Sequence, residues 1–252
     1  MSRAGEGTAM FEIAYKTCSG ILDRNEDCIF VNGEIYASGS GHMEREACLL
    51  AVCDGVGGER FGEEASHAAC SALRGYLGLK FTDALANQYV RDANGLIREA
   101  QKKDAAHGGM STTAAVLSLG GKDVFAFNLG DSEIMRLRGG TLYRLSQKHT
   151  VVNEFQSFGF QALDTDRHVI TKYLGGREFA PAVFDGGDTL DQDDIFILFS
   201  DGVGDVMTKP ELKAVLLSEM PLERMCDDIC GRAMEKGSDD NISVIIARGA
   251  RE

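Results

Sequence analysis

Four carboxylate signatures punctuate the apolar runs of this chain. Leu49-Leu50-Ala51-Val52-Cys53 leads into Asp54-Gly55, and Ile195–Ser200 leads into Asp201-Gly202. Asp240-Asn241 stands directly before Ile242-Ser243-Val244-Ile245-Ile246-Ala247, and Asn25-Glu26-Asp27 before Cys28-Ile29-Phe30-Val31. Carboxylates repeated at the ends of β-like runs suit hard divalent cations, which take several oxygen ligands on a rigid frame. Asp-Gly alone is a turn signal, and Phe184-Asp185-Gly186-Gly187-Asp188 reads as a plain turn. Asp54 and Asp201 differ because each follows a fully apolar run, so its carboxylate should emerge at a sheet edge. Two such ions sharing a bridging carboxylate, about 3.5–4 Å apart, hold and activate a water and neutralise phosphate oxygens. The pattern points to metal-assisted hydrolysis of a phosphate ester.

Other chemistries fit less well. Five histidines without His-Glu-x-x-His or a Cys/His cluster offer no good zinc site, and oxygen-only donors favour magnesium or manganese. Gly55-Val56-Gly57-Gly58 lets the backbone approach a ligand, and a carbonyl there can serve a metal. The stretch lacks the Gly-Lys-Ser/Thr ending of a P-loop and the dinucleotide spacing. Cys18 to Arg24 and Cys226 to Arg232 fit the Cys-x5-Arg spacing of cysteine-dependent phosphatases. Seven cysteines make chance matches to so short a pattern expected. The first match carries Asp23 where phosphate would lie, the second sits in a helical pattern, and neither has a histidine before the cysteine to lower its pKa.

The elements that must position these residues can be read from periodicity. Strand-like runs cover Phe11–Lys16, Cys28–Val31, Ala47–Cys53, Thr112–Leu119, Val124–Leu129, Glu133–Leu137, Ile195–Ser200 and Ile242–Arg248. Helix-like stretches cover Gly62–Leu79, Thr82–Lys103, Pro210–Glu219 and Leu222–Lys236, with Thr82 an N-cap and Pro210 a first-turn proline. Strands come in groups separated by helical pairs, which favours a layered α+β domain over a doubly wound sheet. Acidic motifs so far apart in sequence can meet only within one folded unit, so residues 1–252 are expected to form a single domain. The net charge of −13 argues against nucleic acid or anionic membrane as partner. The start of the chain has no apolar core of a signal peptide, and Ala47–Cys53 is far too short to span a membrane. Seven scattered cysteines suit a reducing compartment. A cytoplasmic monomer is expected.

Taken in order, the motifs resemble the metal-dependent Ser/Thr protein phosphatases of the 2C type, in their compact bacterial form. The series runs Asn25-Glu26-Asp27, then residues 51–66, Ser111-Thr112-Thr113-Ala114, Asn128-Leu129-Gly130-Asp131-Ser132 and Leu142–Thr150. It continues through Tyr173-Leu174-Gly175 and Phe199-Ser200-Asp201-Gly202-Val203 to Asp239-Asp240-Asn241-Ile242-Ser243. Eight motifs in the right order are far more specific than any one alone.

The resemblance implies a four-layer α-β-β-α sandwich, with two central, mostly antiparallel sheets flanked by helix pairs. It implies Mn2+ or Mg2+ as cofactor, two core ions and a looser third. Asp54 would bridge the two ions and Gly55 would lend its carbonyl. Asp201 and Asp240 would hold the second ion, while Glu26 and Asp27 act near the first. Asp131 with Asp201 would take the third ion, the alternative being a turn residue that opens the next strand. Asn241 and Gly202 would shape the loops. The catalytic set is then Asp54, Asp201 and Asp240, acting through metal-activated water on phosphoserine and phosphothreonine in proteins phosphorylated by a Ser/Thr kinase.

Departures from the family pattern are specific. Leu22 stands where an arginine usually contacts the substrate phosphate, with Arg24 the nearby candidate to replace it. Ser111 replaces a glycine, Lys148 replaces an aspartate, and Val56 stands where eukaryotic members carry a histidine. Residues 150–172 match the variable flap beside the active site. Loss of the arginine also motivates an alternative, a catalytically weak phosphoprotein-binding regulatory module on the same fold.

Overall fold

In β1 (Phe11–Cys18) side chains alternate between two apolar layers, so this strand is buried on both faces. That burial explains why the central strands read as continuous apolar runs rather than as an alternation. The computed structural model describes residues 10–56, 61–104, 107–160, 168–177, 180–184 and 189–249. The remaining strands are β2 (Cys28–Val31), β3 (Glu34–Tyr36), β4 (Gly39–Arg45), β5 (Ala47–Cys53), β6 (Gly55–Val56), β7 (Ser111–Thr112), β8 (Ala114–Gly120) and β9 (Asp123–Leu129). They continue as β10 (Glu133–Arg138), β11 (Thr141–Arg144), β12 (Ala182–Phe184), β13 (Ile195–Phe199) and β14 (Ile242–Gly249). The helices are α1 (Gly62–Leu73), α2 (Asp83–Lys103), α3 (Val151–Ser157), α4 (Asp201–Gly204), α5 (Lys209–Leu216) and α6 (Leu222–Glu235).

One six-stranded sheet has the order β11-β10-β13-β14-β1-β4 and the other the order β12-β9-β8-β5-β2-β3. All described pairings are antiparallel. Phe11, Ile13, Phe196 and Leu198 from the first sheet meet Ile29, Leu50, Val52 and Leu117 from the second in the central core. Helices α1 and α2 cover the outer face of the second sheet, through Ala65, Leu73, Tyr89 and Ile97. Helices α5 and α6 cover the first, through Leu212, Leu216, Met225 and Ile229. This is the expected four-layer sandwich. No helix among the described residues is long and apolar enough to cross a membrane.

The strands expected over 28–31 and 47–53 have those bounds. The run expected over 112–119 is broken. Thr112 pairs with Gly55 in a two-stranded ribbon, and β8 begins only at Ala114. The helix expected to reach Leu79 ends at Leu73 and passes into a 3-10 turn, Arg74–Tyr76. Thr82 caps α2, its side chain accepting from the Leu85 N–H. At α5, Thr208 and Glu211 form a reciprocal capping box that places Pro210 in the first turn. The flap is anchored where Val151 donates its N–H to the Val169 carbonyl and Thr150 bridges to Ile170.

Candidate metal centre

Asp54 leaves the end of β5 on a backbone held by the paired threonines. Its carbonyl accepts from the Thr113 N–H and the Thr112 hydroxyl, both at 2.8 Å. Its N–H donates to the Thr113 hydroxyl at 3.0 Å, and that hydroxyl meets the Ser132 hydroxyl at 2.7 Å. Thr112 and Thr113 are fully buried, so their polar groups must find partners within the protein, and Thr112 also exchanges backbone hydrogen bonds with Leu174. The Ser-Thr-Thr and Gly-Asp-Ser motifs are thus one hydrogen-bonded unit that aims Asp54 and Asp131.

On the far side of that unit, His149 Nδ1 accepts from the Gly130 N–H at 3.2 Å, while the His149 N–H donates to the Gly130 carbonyl at 3.0 Å. Burial, then the Lys172 charge, pull this imidazole down to about 4, as a neutral acceptor requires. Gly130 has φ +93° beside the Thr113 side chain, a conformation and a proximity that leave no room for a Cβ.

The other side of the site is built around Asn241. Its Oδ1 accepts from the Glu26 N–H at 2.7 Å, and its Nδ2 donates to the carbonyls of Ser19 at 3.1 Å and Arg24 at 2.9 Å. Asn25 ties the same loop to the Thr17 hydroxyl at 2.8 Å. A Cβ at Gly62 would lie 2.5 Å from Glu26 Oε2, and one at Gly55 would lie 2.6 Å from the Glu26 carbonyl. Glycine at both positions is what admits Glu26.

Glu26, Asp54, Gly55, Asp131, Asp201 and Asp240 all line one cleft of about 440 Å3. Asp27 sits behind it, 1% exposed, with Oδ2 accepting from the Ser200 hydroxyl at 2.8 Å. Burial, opposed by its serine hydrogen bonds and joined by the Asp240 charge, raises Asp27 to about 7. Asp54 is raised well above the carboxylate range by burial and then by Asp201, Asp27 and Asp131. Asp201 is raised by burial, then by Asp131 and Asp240. Burial raises Asp131 as well, against the nearby Lys148 charge. Glu26 is raised by burial and then by Glu63. Oδ1 of Asp27 and Oδ1 of Asp201 are sealed from solvent without a hydrogen-bond partner. Crowded carboxylates that resist ionisation and keep orphaned oxygens fit a hard divalent cation, which would restore their charge and ligate those atoms.

Arg24 is not part of this cleft. Its side chain is 75% exposed and its Nη1 reaches Glu63 Oε1 at 3.3 Å, while Leu22 contributes to the cleft wall. Two further cleft residues escaped the sequence reading. His168 Nδ1 lies 3.2 Å from Asp205 Oδ2, and His168, Asp201 and Asp205 each bring one donor atom within 4.8 Å of the others. Asp205 was detectable in principle. It follows Asp201 by one helical turn, a spacing that puts both on one face, and its N–H donates to the Asp201 carbonyl at 2.8 Å. Lys148 Nζ reaches Glu133 at 3.1 Å and Asp205 at 3.6 Å. Burial opposes its charge, but Glu133 and then Asp205 more than offset this and hold it above the ordinary lysine value. Asp185 lies outside the described residues.

The family model for protein phosphatase 2C matches residues 37–243, and the chain belongs to that family. The protein phosphatase PhpP of Streptococcus pneumoniae is 28% identical over 212 residues, covering 79% of this chain and 84% of the relative. The serine/threonine phosphatase stp of Listeria monocytogenes is 25% identical over 237 residues, 90% of each chain. The solved structure of the serine/threonine phosphatase Stp1 from Staphylococcus aureus superposes with a TM-score of 0.80 at 25% identity, covering 100% of both chains. The catalytic domain of PstP, solved in complex with 2 manganese ions, has a TM-score of 0.79 at 24% identity over 97% of this chain and all of its own. These relatives favour the hydrolase reading over the binding-module alternative.

Proposed function

We propose that this protein hydrolyses phosphoserine and phosphothreonine in proteins, with Mn2+ or Mg2+ held by Asp54, the Gly55 carbonyl, Asp201 and Asp240. Glu26 and Asp27 would support the first ion, and Asp131 with Asp201 would take a looser third. The observation that carries this reading is the convergence of Glu26, Asp54, Asp131, Asp201 and Asp240, from the ends of both sheets, on one cleft with Asp27 buried behind it. When bound, the cations would activate water and neutralise the charge of the phosphate.

The chain's own residues supply the rest. Thr112 and Thr113 fix the Asp54 backbone, and Asn241 fixes the loop that carries Glu26. Leu22, Val56, Ile170 and Val206 give the cleft apolar walls against the phosphorylated side chain. No lysine or arginine is among its described lining residues, and bound cations would answer the phosphate charge. A monomer acting in the cytoplasm on the targets of a Ser/Thr kinase is the context we infer. The test is release of phosphate from a phosphothreonine peptide with Mn2+ and with excess chelator. Turnover that requires the cation supports the reading, and undiminished turnover in chelator overturns it.

A further inference from the structure

Among the seven cysteines, six are buried and Cys18 alone is partly exposed. It is the last residue of β1, and the neighbouring edge strand β4 begins only at Gly39, opposite Thr17, leaving Cys18 uncovered on that side. Its side chain falls on the helix-facing side of the sheet and packs against the apolar cluster containing Cys226 and Cys230 of α6. Lys16, on the same face of β1 two residues earlier, reaches Asp227 Oδ1 at 2.7 Å, and Cys230 follows Asp227 by about one helical turn, which sets Cys18 against the fully buried Cys230. A partly exposed thiol facing a sealed one is the arrangement of an attacking and a resolving cysteine.

We propose that Cys18 and Cys230 form a peroxide-responsive dithiol whose oxidation to a disulfide slows the enzyme. Cys18 thiolate attacks one oxygen of hydrogen peroxide, the O–O bond breaks, and hydroxide leaves and is protonated to water. Cys18 is oxidised by two electrons to the sulfenic acid, and the peroxide is reduced. The Cys230 sulfur then attacks the Cys18 sulfur. The S–OH bond breaks, the thiol proton goes with the departing hydroxide as a second water, and the S–S bond forms.

The surroundings select Cys18 for the first step. The neighbouring Cys230 thiol, with the Gly20 backbone and Lys16, outweighs burial and brings the Cys18 thiol down to about 6. Burial pushes Cys48 up to about 12 and raises Cys70 and Cys226 as well. Cys230 is raised by the neighbouring Cys18 sulfur and by burial, so it stays a thiol while Cys18 reacts first with peroxide.

The consequence for turnover follows from what Cys18 adjoins, and this part rests on the phosphatase reading. Ser19, the next residue, gives its carbonyl to Asn241 Nδ2 at 3.1 Å and to the Leu22 N–H at 3.0 Å. A Cβ on Gly20 would lie 2.5 Å from the Asp240 carbonyl. Drawing Cys18 toward α6 therefore strains the loop that carries Leu22 and Glu26 into the cleft. Misplacing a residue that orients metal ligands typically costs about 10–100-fold, so we expect a loss of about tenfold.

The experiment treats the Mn2+-loaded protein with stoichiometric hydrogen peroxide, then measures phosphothreonine-peptide turnover and maps cysteines by non-reducing peptide mass spectrometry. The expected result is a Cys18–Cys230 peptide two hydrogens lighter than its parts, with turnover lost and restored by dithiothreitol. In Cys230→Ala, dimedone should trap the sulfenic acid at Cys18 and no crosslink should form. In Cys18→Ser, turnover should resist peroxide. Sulfinic acid at Cys18 in the wild-type protein, or a crosslink between other cysteines, overturns the dithiol. A Cys18–Cys230 crosslink with unchanged turnover overturns its link to activity. Absence of turnover before oxidation would count against the phosphatase reading, while the mass map still decides the disulfide.

Discussion

Asp201 opens α4 just beyond the end of the interior strand β13, its Oδ1 sealed and unpartnered beside Asp131 and Asp240. Asp201→Asn removes one ligand charge and should slow phosphopeptide turnover about a hundred- to thousandfold, or roughly 3–4 kcal/mol of barrier. Circular dichroism should show the fold intact, because the substitution relieves carboxylate crowding. A loss below tenfold would contradict a ligand role. Arg24→Ala should leave KM within about twofold, since its exposed pairing with Glu63 is of the kind worth about 0–1 kcal/mol. A severalfold rise in KM would show that Arg24 reaches the substrate after all. Proton linkage gives another check. Asp27 is raised from 3.8 to about 7, so the folded metal-free protein binds the extra proton and loses stability as pH rises through that window. A bound cation cancels this cost. The Tm gained on adding saturating Mn2+ should therefore grow from pH about 4 to about 7, and a pH-independent gain would refute the crowding argument. At this scale the sequence exposed the aspartates because each interrupts an apolar run. His168 gave no such signal, being a single residue in a segment without periodicity.

Elements matter here through the turns that end them. Gly202, in the first turn of α4, faces the Asn241 carbonyl so closely that a Cβ would collide with it. This contact locks α4 to the entry of β14 and so sets Asp201 against Asp240. Asn241→Ala would strand the Glu26 N–H and the Arg24 carbonyl and leave the Ser19 carbonyl to the Leu22 N–H alone. We expect a stability loss of about 1–3 kcal/mol by urea melt and turnover lower by about 10–100-fold. Stability lost with turnover unchanged would separate this loop from catalysis. Much of this layer was hidden in the sequence. The Gly-Ser-Gly-His-Met-Glu-Arg run of β4 reads as loop, because an edge strand exposed on most of its length needs no apolar pattern. The four-residue α4 is too short for a periodic signal, and the break at Thr113 reflects a tertiary hydrogen bond to Asp54.

Across the whole molecule, the sandwich brings together groups far apart along the chain. Asp54 rises from the second sheet, Asp201 and Asp240 from the first, and only the core between the sheets fixes their separation. Phe196 is fully buried in that core, and Phe196→Ala should cost about 3–5 kcal/mol of stability. Layer order was legible from grouped strands and paired helices, together with the family resemblance. Strand order was not, since pairings such as β1 with β14 join the two ends of the fold through contacts that leave no local mark. The central claim is that these converging carboxylates hold two core cations. Anomalous scattering from crystals grown in Mn2+ tests it most directly. The account predicts two strong peaks in the cleft, bounded by Asp54, the Gly55 carbonyl, Asp201 and Asp240, with any weaker third beside Asp131 and Asp201. A cleft with no peak, or with a single peak that Asp54 does not touch, would contradict it.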